Sequence, residues 1–238
     1  MIRSIFYSVF LALIVAVVLM FLVAFPFGQN KIGVGQYYLD NTVKETGAEN
    51  VVTSVTLEYR GFDTLGEVTV LFAAATGVSL VFYLTDDEKK KRKSNKSQPN
   101  FIVRIGSRII FPFVVLFGVY IILHGHLTPG GGFQGGAIIA SGVLMLYLAN
   151  PEIHVGRNIL LVTEGLAGLT YVVLGIIGLF SPSHSFLYNF LPLGTPGYIL
   201  SAGILLPLYI AVGVKVASEF SGIIDDLFSP DEEIGGEQ

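Results

Sequence analysis

Six apolar runs, each about as long as a membrane crossing, follow one another along the chain. A transmembrane helix needs about 20 mostly apolar residues at a rise of ~1.5 Å per residue. We predict spans at Ile5–Phe25, Leu65–Leu84, Ile105–Leu123, Phe133–Ala149, Ile159–Phe180 and Gly197–Val216. The pattern therefore predicts an all-α, polytopic membrane protein with about six transmembrane helices.

Composition supports the same class and excludes several others. Hydrophobic residues make up 52% of the 238 residues and charged residues only 13%, whereas soluble domains carry about 25% charged residues. The sequence has no Cys, which excludes disulfides and thiolate-held iron–sulfur clusters within this chain. No nucleotide-binding fingerprint is present. We therefore expect no cofactor, no metal site, no nucleic-acid partner and no catalysis by this chain alone.

A polar segment divides the apolar runs into two groups. Residues 85–100 include the basic cluster Lys89–Lys93 and read as a charged, solvated linker. The predicted organisation is a two-span module (1–84), the linker (85–100), a four-span module (101–220) and an acidic tail (221–238). Such a long polar connector is unusual inside a compact bundle, although an ordinary loop between spans remains the alternative.

The basic linker also predicts the orientation. Segments rich in Lys and Arg face the cytoplasm, so the linker and, by alternation, both termini are expected to be cytoplasmic. Of the fourteen Lys and Arg residues, only Lys31, Lys44 and Arg60 then fall outside. The bilayer itself is the expected surrounding of the six spans.

The first polar group that can carry chemistry is Glu58–Glu67, at the predicted external entry to the second span. If this segment is helical, Arg60, Asp63, Thr64 and Glu67 share one face, because residues three and four apart are neighbours. An Arg flanked by two carboxylates is largely self-neutralising near a membrane. The group is either an entrance for ions or protons or an interfacial salt bridge that fixes the helix end.

The second group is a glycine-rich segment, residues 124–136, after the third predicted span. Two histidines can titrate in the physiological range, and Pro and Gly cannot continue a helix there. Irregular backbone at membrane depth must be shielded by protein or line a wet cavity. Small residues at four-residue spacing after it, Gly136/Ala140 and Ala137/Ser141, favour close helix packing. The candidate residues are His124, His126, Pro129, Gly130, Gly131, Gly132 and Gly136.

Glu164 is the third candidate, inside the fifth predicted span and about 10 Å beyond Arg157 along a helix. A carboxylate at such depth is costly and commonly marks an ion or proton pathway. The alternative is a protonated Glu that only holds a neighbouring helix. Lys215 and Glu219, at the predicted cytoplasmic end of the last span, are expected to pair with each other or to let Lys215 snorkel to the interface.

Two motifs resemble a known family. The stretch H-G-H-L-T-P-G-G-G-F-Q-G-G at 124–136 resembles the B subunit of Mrp-type multisubunit Na+/H+ antiporters, over about residues 101–220. The stretch Y-R-G-F-D-T-L-G-E at 59–67 looks like the C-terminal end of the A subunit, over about 48–84. Similar modules occur in archaeal membrane-bound hydrogenases and related respiratory complexes.

The resemblance implies an accessory membrane subunit whose partners are other subunits of an antiporter or of a redox-driven respiratory complex. Na+ or H+ would be the transported ion, with Glu164, Asp63, Glu67, Arg60 and the two histidines as ion-path candidates. A purely structural scaffold remains the alternative function. A catalytic redox subunit is disfavoured because the chain has no Cys and no nucleotide fingerprint.

Overall fold

The computed structural model describes residues 2–24, 33–84, 101–150, 153 and 155–228. The chain divides into two compact units, Met1–Tyr37 and Tyr38–Gln238. The first unit contains one long apolar helix. Everything that bears on the candidate site lies in the second unit.

The described residues form eight α-helices and a short π-helix. They are α1 (Ile2–Ala24), α2 (Val34–Thr46), α3 (Val51–Ser54), the π-helix Val55–Tyr59, α4 (Gly61–Leu84), α5 (Phe101–Leu123), α6 (Gly132–Ala149), α7 (Arg157–Leu179) and α8 (Leu205–Phe228). The all-α prediction is confirmed.

Five of these helices are long and apolar enough to cross a membrane. They are Gly61–Phe82 within α4, and the whole of α5, α6, α7 and α8. A shorter apolar segment, Tyr7–Val23, lies within α1, and its side chains are exposed. Wide apolar exposure on helices of span length is what a lipid-facing surface requires. The chain is therefore a polytopic membrane protein.

Helix α8 is the centre of the second unit. It packs against α4, α5, α6 and α7, and it is the most buried of the five spans. The residues that it buries include Leu205, Leu208, Val212 and Val216. Among the described helices, α8 has its apolar residues most strongly confined to one face, as such contacts require. Several of its buried residues are nevertheless charged or polar.

Glycines let α5, α6 and α8 approach closely. A Cβ at Gly136 in α6 would lie 2.6 Å from the carbonyl oxygen of Gly213 in α8. On the other face of α6, a Cβ at Gly135 would lie 2.6 Å from the carbonyl oxygen of Gly118 in α5. Real Cβ atoms do not occur at such distances, so backbone contact replaces side-chain contact here. The predicted close packing at Gly136 and Ala140, both buried, is confirmed.

The prediction for the last span is wrong in its position. The apolar pattern predicts a span at Gly197–Val216, but the helix extends from Leu205 to Phe228. Pro196 and the positive φ angles of Gly197 (88°) and Gly203 (53°) keep the preceding segment out of the helix. Residues 221–228, predicted to begin the acidic tail, form the end of α8.

The predicted two-module division stays a prediction. Residues 38–84 and the four later spans belong to one compact unit, in which α4 packs on α8. The predicted linker, 85–100, and residues 229–238 of the predicted tail lie outside the described residues.

Candidate functional site

A charged triad lies between α7 and α8, within their membrane-spanning lengths. The ammonium Nζ of Lys215 is 2.5 Å from Oε1 of Glu219 and 3.4 Å from Oε1 of Glu164. The side chain of Glu219 is 0% exposed, that of Lys215 9% and that of Glu164 15%. Helix periodicity brings Lys215 and Glu219 together, because they lie four residues apart in α8. Packing of α7 on α8 adds Glu164.

The surroundings of the triad are apolar. Lys215 Nζ lies 5.1 Å from the ring centroid of Phe72 in α4, within range of a cation–π contact. Gly168, one turn after Glu164 in α7, lies beside the Lys215 stem, and a Cβ there would be 3.6 Å from Cδ. With both carboxylates ionised, the triad carries two negative charges and one positive charge. An uncompensated charge in such a setting favours uptake of a cation or a proton.

The triad corrects one prediction and confirms another. The sequence predicts Lys215 near the cytoplasmic end of the last span, where it could snorkel; in the structure it is buried, thirteen residues before Phe228. Snorkelling is therefore wrong, whereas the predicted pairing of Lys215 with Glu219 is confirmed. Glu164 lies in α7, seven residues after Arg157, at the predicted depth.

A second polar cluster lies where α8 ends. Asp226 accepts hydrogen bonds from Ser79 in α4 and from Arg157 at the start of α7. The adjacent Asp225 accepts a 2.6 Å hydrogen bond from the hydroxyl of Tyr147 in α6. The two aspartates thus tie α4, α6 and α7 to α8. Lys215 lies about 16 Å from this end, given the helical rise.

At the opposite end of α4, the π-helix carries Glu58. Burial raises the pKa of Glu58 from its ordinary value of 4.5 to about 7; a hydrogen bond from Asn189 lowers it, and the charge of Glu45 raises it further. The hydroxyl of Tyr59, the next residue, donates a 2.5 Å hydrogen bond to Glu45. π-Helical turns occur often at functional sites, and this one interrupts the helix before α4 begins.

The predicted Arg60 group is only partly assembled as expected. The segment is not one continuous α-helix, because the π-helix ends at Tyr59 and Arg60 forms a turn. Arg60 and Asp63 form an ion pair that is largely exposed. Thr64 is buried and donates a hydrogen bond to the Thr56 carbonyl. Glu67 is exposed on α4.

Glu67 provides the carboxylate of an apolar cleft between α4 and α6. The cleft has a volume of about 440 Å³ and is lined by Glu67, Val70, Leu71, Ala74 and Phe133. An exposed carboxylate at this depth of a span requires a polar partner or water, since lipid provides neither.

Residues 124–131 of the glycine-rich segment form irregular backbone between α5 and α6, as predicted, whereas residues 132–136 begin α6. This irregular backbone is shielded by Asn50 and by α3, which follows it. The side-chain amide of Asn50 donates to the carbonyls of Gly125 (2.9 Å) and Thr128 (3.0 Å). Thr53 donates to the same Gly125 carbonyl at 2.6 Å. Tyr209 of α8 in turn donates to the Thr53 hydroxyl at 2.7 Å.

The two histidines of this segment have different surroundings. His126 is 0% exposed, with Nε2 3.3 Å from the Tyr198 carbonyl oxygen. Burial lowers the pKa of His126, more than the hydrogen bond to Tyr198 raises it. His124 Nδ1 lies 3.1 Å from the Tyr120 carbonyl oxygen, and the His124 ring stacks on the Tyr120 ring. The structure therefore places His126 in the core, whereas His124 is half-buried.

The glycines of the segment are there because larger residues do not fit. Gly131 has a φ of 149°, and a Cβ on it would lie 2.8 Å from Oε1 of Gln134. A Cβ on Gly132 would lie 2.7 Å from the Tyr209 carbonyl oxygen, and one on Gly130 would lie 2.9 Å from the Ile121 carbonyl oxygen. Their contribution is packing of the segment against α5 and α8.

Sequence reasoning selected Glu164 but missed Lys215 and Glu219 as its partners. The available signal was the pair itself, since two ionisable residues one turn apart in an apolar helix seldom face lipid. Asp225 and Asp226 were also missed as contacts between helices, because they were assigned to a tail.

Two family models match different parts of the chain. Residues 102–222 match the family described as a domain related to the MnhB subunit of Na+/H+ antiporter, and residues 2–87 match the MbhE family of MBH subunits. An uncharacterised protein of Methanocaldococcus jannaschii is 32% identical over 212 residues, which cover 79% of each chain.

Two solved structures resemble the whole chain. A chain of the membrane-bound sulfane sulfur reductase, an archaeal respiratory membrane complex, matches with a TM-score of 0.83 and 40% identity, over 97% of this chain and 100% of that chain. A chain of the Mrp complex from Dietzia sp. matches with a TM-score of 0.75 and 26% identity. That match covers 98% of this chain but only 27% of the Dietzia chain.

Proposed function

The chain belongs to the family of domains related to the MnhB subunit of Na+/H+ antiporters, and from this premise we propose that it contributes an ion path to a multisubunit membrane complex. The predicted resemblance to the Mrp B subunit is confirmed by the family match. Its relatives are subunits of Mrp-type and respiratory membrane complexes, so its partners are other membrane subunits.

The observation that carries the ion-path proposal is the triad of Glu164, Lys215 and Glu219. A scaffold helix pair needs no ionisable residues at its contact, and apolar residues of similar volume often stabilise such contacts as well as ions do. Ionisable groups enclosed between adjacent spans, here two buried and one half-buried, are instead typical of ion and proton pathways. The triad is the inner part of the path in this proposal.

Other features of the proposal follow from the same family. The transported ion is Na+ or H+, and Asp63 and Glu67 lie on the external side of the path. The linker and both termini face the cytoplasm, by the positive-inside rule. The complex is a redox-driven respiratory complex; the likeness over the full length of a chain in the sulfane sulfur reductase supports this context. Electron transfer belongs to partner subunits, and this chain catalyses nothing alone.

Replacement of Glu164 by Gln tests the ion path against the scaffold alternative. The complex carrying Glu164→Gln would be purified, checked for normal subunit content and reconstituted in proteoliposomes for ion-flux measurement. We expect at least a tenfold loss of flux, about 1.4 kcal/mol in barrier terms, with assembly intact.

The matched control is Thr170→Val, an exposed change in the same helix that removes only a hydroxyl bonded to the Leu166 carbonyl. It should leave the flux unchanged. A Glu164→Gln complex with normal subunits and full flux contradicts the ion path and leaves the scaffold as the function.

A further inference from the structure

We infer that the triad holds a proton rather than a sodium ion, shared between Glu219 and Glu164, with Lys215 as the fixed positive charge. This inference rests on the proposed ion path, and it names the ion that the triad binds within that path. Three observations support it: the unpartnered oxygen of Glu219, the charge count and the position of the ammonium.

The first observation is a buried oxygen without a donor. Oε1 of Glu219 is 2.5 Å from the Lys215 ammonium, whereas Oε2 has no hydrogen-bond partner in the described part of the chain, and the side chain is 0% exposed. Leaving a carboxylate oxygen in this state costs the full desolvation of that atom. A proton on Oε2 converts it to a donor, and Glu164, whose Oε1 lies 3.4 Å from the same Lys215 ammonium, provides the accepting carboxylate.

The second observation is the charge of the surroundings. If both carboxylates are ionised, the triad has a net charge of −1. A single bound proton neutralises it. Helix α6 contains no Asp, Glu, Lys, Arg or His over its described length. Helix α4 contributes Phe72 here, while its own carboxylates, Asp63 and Glu67, lie near the other end.

The remaining charged groups on neighbouring helices lie at the Arg157 end. They are Arg157 in α7, Arg104 and Arg108 in the first turns of α5, and Asp225 and Asp226 in the last turn of α8. None is a fourth member of the triad, so the charge balance depends on the bound species.

The third observation disfavours sodium. Hard cations collect several oxygen ligands, commonly six or more. The triad offers the oxygens of two carboxylates, and one of these oxygens already faces the ammonium at 2.5 Å. A sodium ion bound between the carboxylates would lie a few ångströms from that fixed positive charge. A proton needs only one oxygen as a covalent partner and one as an acceptor.

Infrared difference spectroscopy of the assembled complex tests the inference. In the wild-type complex at neutral pH we expect a protonated-carboxyl band that shifts in D2O and does not respond to added Na+. The band should be lost in Glu219→Gln and shifted or lost in Glu164→Gln, which provides a second variant if the first does not assemble. Glu49→Gln, at an exposed carboxyl outside the spans, is the control and should leave the band unchanged.

A band that disappears when Na+ is added at constant pH, or no band that depends on Glu219 or Glu164, overturns the proton assignment. Flux measured on the same preparations separates this result from the proposed function. If the two variants lose flux but the wild type shows no such band, only the proton assignment is contradicted. If the wild type shows the band but both variants keep normal flux, only the ion path is contradicted.

Discussion

Replacing Lys215 by Met isolates the energetic role of its charge. Met keeps an unbranched apolar stem against Gly168 and Phe72 but removes the ammonium. Glu219, with a side chain that is 0% exposed, then loses the donor at 2.5 Å. Removing one partner of a buried ion pair typically costs about 3–5 kcal/mol, because the other charge stays buried.

The expected destabilisation follows from the charge that remains. Even with one proton shared between them, Glu164 and Glu219 keep one negative charge, which no ammonium compensates once Lys215 is removed. We therefore expect a loss of roughly 3 kcal/mol in the free energy of unfolding. For a chain of this size, each kcal/mol lost from the free energy of unfolding lowers the Tm by about 2–4 °C. The loss above therefore predicts a fall of roughly 6–12 °C in the apparent Tm at pH 8.

The assay is the Tm of the detergent-solubilised complex, read as the fraction that remains assembled in size-exclusion chromatography after heating. Two further variants control it. Lys44→Met removes an exposed Lys of α2 and should change the Tm little. The double variant Lys215→Met with Glu219→Gln removes both charges of the close pair and should regain most of the lost stability. A Lys215→Met complex as stable as the wild type at pH 8 refutes the reasoning.

Three further predictions concern packing, titration and anchoring. Gly136→Val should lower the free energy of unfolding by at least about 1–3 kcal/mol, seen as a lower Tm, because its Cβ would lie 2.6 Å from the Gly213 carbonyl oxygen. Since burial raises the pKa of Glu58 from 4.5 to about 7, the folded form holds a proton that the unfolded form releases. Stability should therefore fall by up to roughly 3 kcal/mol as pH rises from 4.5 through 7, and Glu58→Gln should flatten this dependence of Tm on pH. Asn50→Ala should cost about 1–3 kcal/mol and raise hydrogen exchange near Gly125, whose carbonyl loses a donor; unchanged exchange contradicts the anchoring role.

Much of the fold follows from apolar run length alone. The predicted second span, Leu65–Leu84, lies within α4, and the predicted fourth span, Phe133–Ala149, matches α6 within one residue. In both cases Pro or Gly precedes the run and few charges interrupt it, so hydropathy and backbone chemistry agree.

The last span shows where this reasoning fails. The predicted span ends at Val216 because the apolar window rejects Glu219, Asp225 and Asp226, and so it is moved toward the N-terminus. In the folded chain Asp225 and Asp226 have partners on other helices, and Glu219 pairs with Lys215 one turn earlier in α8, which reduces the cost that hydropathy assigns to these residues. Contacts between residues far apart in the sequence are not visible in a single apolar window.

The candidate site was predictable only one residue at a time. Glu164 stands out as a carboxylate in a span, but its partners are 51 and 55 positions later in the chain. The π-helix at Val55–Tyr59 was also not predicted, because the apolar pattern of this segment does not distinguish it from an α-helix. It places Glu58 beside Asn189, a contact across 131 residues.

The most direct test of the central claim is to purify the chain from its native membrane in mild detergent and identify the copurifying proteins by mass spectrometry. The account predicts a stable assembly with other antiporter-type membrane subunits, accompanied by iron–sulfur and other redox subunits if the complex is redox-driven. Antiporter-type subunits alone would contradict the redox context and keep the subunit assignment. Recovery of this chain by itself, under conditions that preserve other membrane complexes, would contradict the claim that it is a subunit.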